Sequence, residues 1–577
     1  MRVLSLIIVM VVCFSASAQL KTRYELSEFT ETATYEEAMA FYRALADEYE
    51  AVTISEHGLT DIGLPLHVVL INTGDEKTPA DLQQSGKAVW LINNAIHPGE
   101  PDGVSASQMF ARNLVENKKK YRKALDKVAI AIIPFYNLGG VLNRNSTTRV
   151  NQNGPDEYGF RGNARHYDLN RDFIKSDTRN AQSFMEIFQL YDPDLFLDTH
   201  VSNGSDYQHV MTLVNSQKDK MGGALGKYIQ EVFLPDSFEG MKERGFDAVP
   251  YVNAWGQTPD KGWTQFIDWP RYSTGYAALF HTMGHMSETH MLKSFKSRVE
   301  STYALMETML TFLDEKGEEL IKLREATKRS ISNQKEFEIS WTVDTSRHSM
   351  IEFSGYEPTY VASEISGLMR LKYDRTMPFT KEVPFKDHYV ANKVITAPEF
   401  YLIPQQWRRV LKRLELNQIE MTRLQNDSTI LVEAYMIEDY QTARNAYEGH
   451  YRHYGVKVAP KEMQLKFRKG DYLVPVNQWR NRYIVETLEP EAPDSFFAWN
   501  FFDAILQQKE HFSSYVFEDH ALQILKEHPE IKQSLEAAKQ ENPTLAESAN
   551  AQLEFIYRRS DHWEPEYLRY PIFRVME

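Results

Sequence analysis

Cysteine is nearly absent. The chain of 577 residues has one, Cys13. It lies in an N-terminal stretch, "MRVLSLIIVMVVCFSASA", with Arg2 near its start, an apolar run over residues 3–14 and small residues up to Ala18. That is the layout of a secretory signal cleaved after Ala18. Lipidation at Cys13 is disfavoured, because the bulky Val12 precedes it. Without the signal no thiol remains, which excludes disulfides and thiol catalysis. Any bound metal must then be held by His, Asp and Glu, a ligand set that suits zinc. Long apolar runs are also missing: residues 3–14 fall short of the ~20 that a spanning helix needs. The chain is therefore expected to be exported, periplasmic or extracellular, with no membrane anchor in its mature form. Basic charge is scarce too. Lys and Arg number 65 against 80 Asp and Glu, a net charge of -15, which argues against nucleic-acid and anionic-membrane partners. The second half of the chain has no repeats or low-complexity tracts.

Core-forming residues are plentiful. Hydrophobic residues make up 42% and aromatics 12%, and the length suits two or three domains. "TYEEAMAFYRALADEY" (34–49) has helical spacing, with Thr34 as its cap. "LHVVLIN" (66–72), "AVWLINN" (88–94), "VAIAIIPFYN" (128–137) and "PDLFLDTH" (193–200) are short, apolar and mostly rich in β-branched residues, and read as buried strands. Residues 105–125 and 183–191 read as helices between them. Strand, helix and strand in series predict an α/β sheet. A helical run over 296–329 closes this half. Beyond a boundary at 325–335, segments such as "KEFEIS" and "TILVEAYMIEDY" alternate apolar and polar residues, as half-buried strands do. The fold expected is an α/β domain over 30–325, followed by a β-rich mixed module over 331–577. Aromatic pieces such as "DSFFAWNFFDAIL" (494–506) read as core or domain interface.

Three groups sit where strands end, and in an α/β sheet the crevice at the carboxyl ends of strands binds ligands. "HPGE" places His97 and Glu100 in a turn after the second run. "LFLDTH" places His200 at the end of another. Two imidazoles and a carboxylate make a three-ligand zinc set that leaves a fourth position for water. "HMSETHM" carries Glu288 in a weakly charged context that can raise its pKa and make it a general base. His290 shares its face if the segment is a strand, and competes with it. Residues 137–173 are rich in Arg and Asn. Most of Arg144, Arg149, Arg161, Arg165 and Arg171 read as solvated loop charges, but some can grip a carboxylate with two parallel hydrogen bonds.

In this order and spacing, HPGE, NLGG, an arginine, DLNR, DTH and a late glutamate resemble the carboxypeptidase A-like zinc metallocarboxypeptidases. The resemblance spans 30–310, and is nearest to a bacterial branch with an E-T-H context at the late glutamate. It implies a mixed, mostly parallel sheet flanked by helices, and one Zn²⁺ per chain on His97, Glu100 and His200. It implies Asp168 as hydrogen-bond partner of a zinc-bound imidazole, and Asn170 and Arg171 as the grip on the substrate's C-terminal carboxylate. Arg149 would polarise the scissile carbonyl, and Glu288 would be general base and acid. Two features depart from the pattern. Thr148 precedes Arg149 where relatives often have an aromatic residue, and the family's mobile tyrosine has no clean match, leaving Tyr272 and Tyr276 as candidates. The mature chain enters the domain at about Thr34, which leaves no room for a long activation segment.

The expected function is zinc-dependent hydrolysis of the last peptide bond of peptides or proteins. An amidase or deacylase acting on cell-wall peptides or acylated amino acids is the alternative with the same site. A non-catalytic binding protein with a vestigial site is the third reading, opposed by the retained Glu288.

Overall fold

The computed structural model describes residues 19–76 and 78–576. The export signal expected at 1–18 lies outside the described residues. The first half is built on an eight-stranded mixed sheet. Its strands, with one short outlier, are β1 (Val52–Leu59), β2 (Pro65–Ile71), β3 (Ala88–Asn93), β4 (Val128–Ile133), β5 (Leu195–Ser202), β6 (Met211–Asn215), β7 (Val249–Pro250), the outlier β8 (Trp263–Thr264) and β9 (Met283–His290). The sheet order is β1-β2-β4-β3-β5-β9-β6-β7. The central β4, β3, β5 and β9 run parallel. Strands covered on both faces read as continuous apolar runs, and β3 shows why: Val89 and Leu91 enter one core, Trp90 and Ile92 the other.

Helices cover the two faces. Asp102–Glu116 and the long Phe295–Ile331 bury Phe110, Leu114, Leu305 and Leu313 with Trp90. Arg179–Tyr191 lays Phe184 and Phe188 against Phe196 on the opposite face. The helix Tyr35–Glu48 starts as its sequence indicates, with Thr34 and Glu37 forming a reciprocal cap. The run expected as one helix over 105–125 is two, Asp102–Glu116 and Lys118–Leu125. Asn117 interrupts it with non-helical backbone, its side chain donating to the Asn113 carbonyl. β4 stops at Ile133 rather than running on to 137, because Pro134 has no N–H to offer a ladder.

The long helix ends at Ile331, and the next strand opens at Glu336. The second half contains a long hairpin, Ser349–Ala362 with Met369–Lys386, which pairs with β8. It also contains a six-stranded sheet whose two longest strands, Ser428–Thr442 and His453–Phe467, pair antiparallel, with His453–Phe467 at one edge. A bundle of short helices, Ser514–Glu527 to Ala549–Tyr557, has its own small core. Phe496, Phe497, Trp499 and Phe502 share one hydrophobic cluster with Phe184 and Phe188 of the first half. The aromatic segment is therefore both core and interface. Among the described residues no helix is long and apolar enough to cross a membrane.

Candidate active site

The carboxyl ends of β3, β5 and β9 meet at one cavity of about 460 Å³. After β3 the chain turns through His97-Pro98-Gly99-Glu100, closed by a Glu100 N–H bond to the His97 carbonyl at 2.8 Å. Gly99 is needed for close approach: a β-carbon there would lie 2.6 Å from Arg149 Cδ. On β5, Asp198 and His200 share a face because they are two apart. Parallel pairing sets His200 opposite Glu288 of β9. Sheet register thus brings the histidine and the late glutamate together across 88 positions of chain.

His97 Nδ1, His200 Nδ1 and Glu100 Oε2 converge. Their separations are 3.1 Å between the two nitrogens, 3.3 Å from His97 to Glu100 and 3.2 Å from His200 to Glu100. A tetrahedral ion with bonds of roughly 2.0–2.1 Å sets its donors about 3.3 Å apart. All three residues are buried. Each ring turns its other nitrogen to a carboxylate: His97 Nε2 to Asp168 Oδ1 and His200 Nε2 to Asp198 Oδ2, both at 2.9 Å. Donation to these acids leaves the Nδ1 lone pairs facing inward. Asn93 anchors Asp198 at 3.0 Å, and the Val201 N–H holds Glu100 Oε2 at 2.9 Å. Burial disfavours charge on His200, yet Asp198 and Glu100 outweigh it and push the imidazole up to about 10, so a cation bound between the rings would displace that proton. The cluster stabilises positive charge, and its donors fit one zinc ion.

Two arginines flank it. Arg149 meets Glu100 Oε1 at 2.6 Å and the Val201 carbonyl at 3.1 Å. Arg161 reaches Glu100 at 3.3 Å and Asp168 at 2.9 Å. Burial alone would raise the Glu100 carboxyl. Arg149 and His97 reverse this and hold it well below the usual range. Glu288, on the cavity wall, goes the other way. Burial pushes it up to about 7, and Glu100 adds to the rise against His200, Arg161 and Arg149.

The same cavity also carries amide and guanidinium groups. Asn170 and Arg171 lie in the short 3-10 turn Leu169–Arg171. Asn170 Oδ1 accepts the Ser273 N–H at 3.1 Å, and the Arg171 guanidinium lies over the Tyr272 ring at 4.6 Å. Both residues and Tyr272 line the cavity. Tyr276, the other tyrosine candidate, does not. It is fully buried in the core, and its hydroxyl donates to Asn417 at 2.6 Å. The helix Ser273–Ala278 turns that ring inward, which corrects the expectation that Tyr276 serves the substrate. His290 also stands apart. Its ring packs edge-on against Tyr207, and Nε2 bonds the Ser205 carbonyl at 2.7 Å.

Some site residues escaped the sequence reading. Asp198 was legible, since period-2 spacing sets it beside His200. Arg161 was hidden among loop arginines; Arg144 and Arg165 do pair at the surface, with Glu157 and Asp61. Tyr251, Phe266 and Met286 complete the walls, and nothing in their local sequence distinguishes them from core residues.

Residues 38–236 match the zinc carboxypeptidase family model. Carboxypeptidase 2 of Trichophyton tonsurans is 23% identical over 424 residues, 71% of this chain and 72% of that protein. Carboxypeptidase 2 of Trichophyton rubrum is 23% identical over 425 residues, with the same coverage. Among solved structures, a putative carboxypeptidase A from Shewanella denitrificans aligns at 18% identity and a TM-score of 0.38, over 49% of this chain and 69% of that one. A metallo-carboxypeptidase from Burkholderia cenocepacia aligns at 16% and 0.38, over 49% and 70%.

Proposed function

We propose that this chain, a metallocarboxypeptidase by its zinc carboxypeptidase domain, removes single residues from the carboxyl ends of peptides or proteins, with Glu288 as general base and acid. The observation that carries the reading is one cavity holding three kinds of group: the three-donor cluster, a glutamate raised to about 7, and the Asn170–Arg171 pair.

His97, Glu100 and His200 would hold zinc, with Asp168 and Asp198 behind the imidazoles. Zinc there supplies Lewis acidity, which makes water nucleophilic at neutral pH and polarises a carbonyl. Glu288 faces the same space from β9. A carboxylate with its affinity for protons raised towards neutrality can take a proton as water attacks and hand it to the leaving amine. Arg149 and Arg161 place positive charge where the carbonyl oxygen gains negative charge. Arg171 and Asn170 offer donors to a free terminal carboxylate, and that restricts cleavage to the last bond. Tyr272 stacks on Arg171 and holds its plane. The N-terminal segment fits export, so the substrate would be met outside the cytoplasm.

Mass spectrometry of a peptide mixture tests this directly. The wild type should trim residues stepwise from the carboxyl end, and Glu288→Gln should not. Chelation should abolish trimming and added Zn²⁺ restore it. Internal cuts, or a folded protein that takes up no zinc, would defeat the proposal.

A further inference from the structure

The wall that bears Asn170 and Arg171 leans on the second half of the chain. Residues 443–452 join two long strands of the six-stranded sheet. Their tip is the turn Tyr447-Glu448-Gly449-His450, closed by Tyr447 N–H to His450 O at 2.8 Å and the reverse bond at 3.1 Å. Glu448 has φ 50° and Gly449 φ 80°. Glycine adopts such a backbone freely, but a glutamate does so against steric resistance. An outlier of this kind persists where surrounding contacts over-determine it.

Tyr447 and His450 pack on Trp499, and the turn's polar contacts reach one segment of the catalytic domain. Glu448 Oε2 accepts the Asp168 N–H at 2.7 Å. Gly449 sits so close to Tyr167 that a β-carbon would lie 2.6 Å from its hydroxyl. His450 Nε2 meets Asp177 Oδ2 at 2.6 Å. Tyr447 stands beside the Arg171 guanidinium. From the helix Arg408–Leu416, Arg413 donates to the Lys175 and Ser176 carbonyls at 2.9 and 3.1 Å. Asp168 is the hinge of the segment. Its carbonyl accepts the Arg171 N–H at 3.0 Å and its carboxylate the Asn170 N–H at 2.9 Å. Whatever sets Asp168 therefore sets the pair that follows it.

We propose that Glu448, presented by the turn Tyr447-Glu448-Gly449-His450, is a positioning residue of the carboxylate subsite. It holds the Asp168 backbone so that Asn170 and Arg171 meet the substrate's terminal carboxylate. This rests on the carboxypeptidase reading above. It also gives the second half a role in binding: the subsite is complete only when both halves of the chain are in place.

Charge and position predict opposite effects, which makes the idea testable. A negative charge near Arg171 repels an anionic substrate, so its removal alone should leave binding unchanged or tighter. A lost hydrogen-bond acceptor should weaken binding. The full-length zinc-loaded enzyme is assayed with an N-blocked dipeptide bearing a free carboxylate, and with its C-terminal amide. Affinity for both is also measured in a Glu288→Gln background, where turnover does not interfere. Glu448→Ala should raise KM for the acid about tenfold with kcat nearly unchanged. Glu448→Asp, which keeps the charge but withdraws the oxygen, should do the same and is the milder substitution should the alanine variant fold poorly. Glu448→Gln should retain the wild-type KM. Binding of the amide should not respond to any of the three. An unchanged KM in folded Glu448→Ala or Glu448→Asp would overturn the proposal. So would a loss of zinc and kcat at constant KM, because the turn would then serve His97 rather than Arg171. If the wild type itself shows no preference for the acid over the amide, the carboxypeptidase reading fails first and takes this inference with it. A preference left undiminished by Glu448→Ala removes this inference alone.

Discussion

The two walls of the cavity are built by different means. The metal-side wall stands on the ends of β3, β5 and β9, where neighbouring strands lock each other's height. His200 faces Glu288 because a parallel ladder pairs them, and His97 follows β3 by a tight turn. The carboxylate-side wall stands on a short 3-10 turn between loops, and part of its support comes from residues more than 200 positions later. A sheet edge is rigid of itself, whereas a loop is rigid only where something holds it. The function proposed above would place chemistry on the first wall and recognition on the second.

That contrast can be broken by substitution. The largest effect should fall on the metal side. Glu288→Gln should lower kcat about 10²–10⁴-fold, the usual contribution of general acid–base catalysis, with KM little changed; steady-state kinetics on one peptide decides it. A KM effect of that size would move Glu288 to the recognition wall. Arg171→Ala should act in the opposite way, raising KM for a free-acid peptide about 10–100-fold through loss of charge-assisted bonds. An amidated peptide should be indifferent, so the ratio of the two KM values is the readout. Asp198→Asn leaves the volume unchanged but removes the charge behind His200. It should weaken zinc binding about 10–100-fold, measured by competition with a chelator, and leave the acid-to-amide preference intact.

Dependence on pH sharpens the same division. Glu288 is raised to about 7 and must be ionised to accept a proton. As pH falls through that value the protonated fraction grows, so kcat/KM should drop on the acid side. Zinc bound nearby would favour the carboxylate, which places the limb at or below about 7. The limb should vanish from the residual activity of Glu288→Gln. The smallest effect is expected from Tyr276→Phe. It removes one buried hydrogen bond to Asn417 and should lower stability by about 1–3 kcal/mol without altering KM. A change in KM would bring Tyr276 back towards the substrate.

Much of the metal-side wall was legible because its signals are local. An apolar run of five residues, Ala88 to Ile92, followed within a few positions by a Pro-Gly turn says where β3 ends. Period-2 spacing says that Asp198 and His200 share a face. The carboxylate wall was legible only in part. The DLNR stretch marks its own turn, but Tyr276 gives no sign in the sequence that its ring turns inward, and on the metal side Arg161 looked like any other loop arginine. The helix expected at 105–125 broke at Asn117, where a side-chain bond to Asn113 competes with the helical backbone.

Composition and short-range pattern alone indicated a ligand set of His, Asp and Glu, an α/β first half and alternating, half-buried strands in the second. These follow from residue type and from spacing within a few positions. Only tertiary structure decided that Glu288 rises to about 7, that Tyr276 leaves the cavity, and that Glu448 reaches Asp168. Each of these depends on what lies next to a group in space. Burial and long-range contact belong to the packed chain and are not written in any one stretch of it.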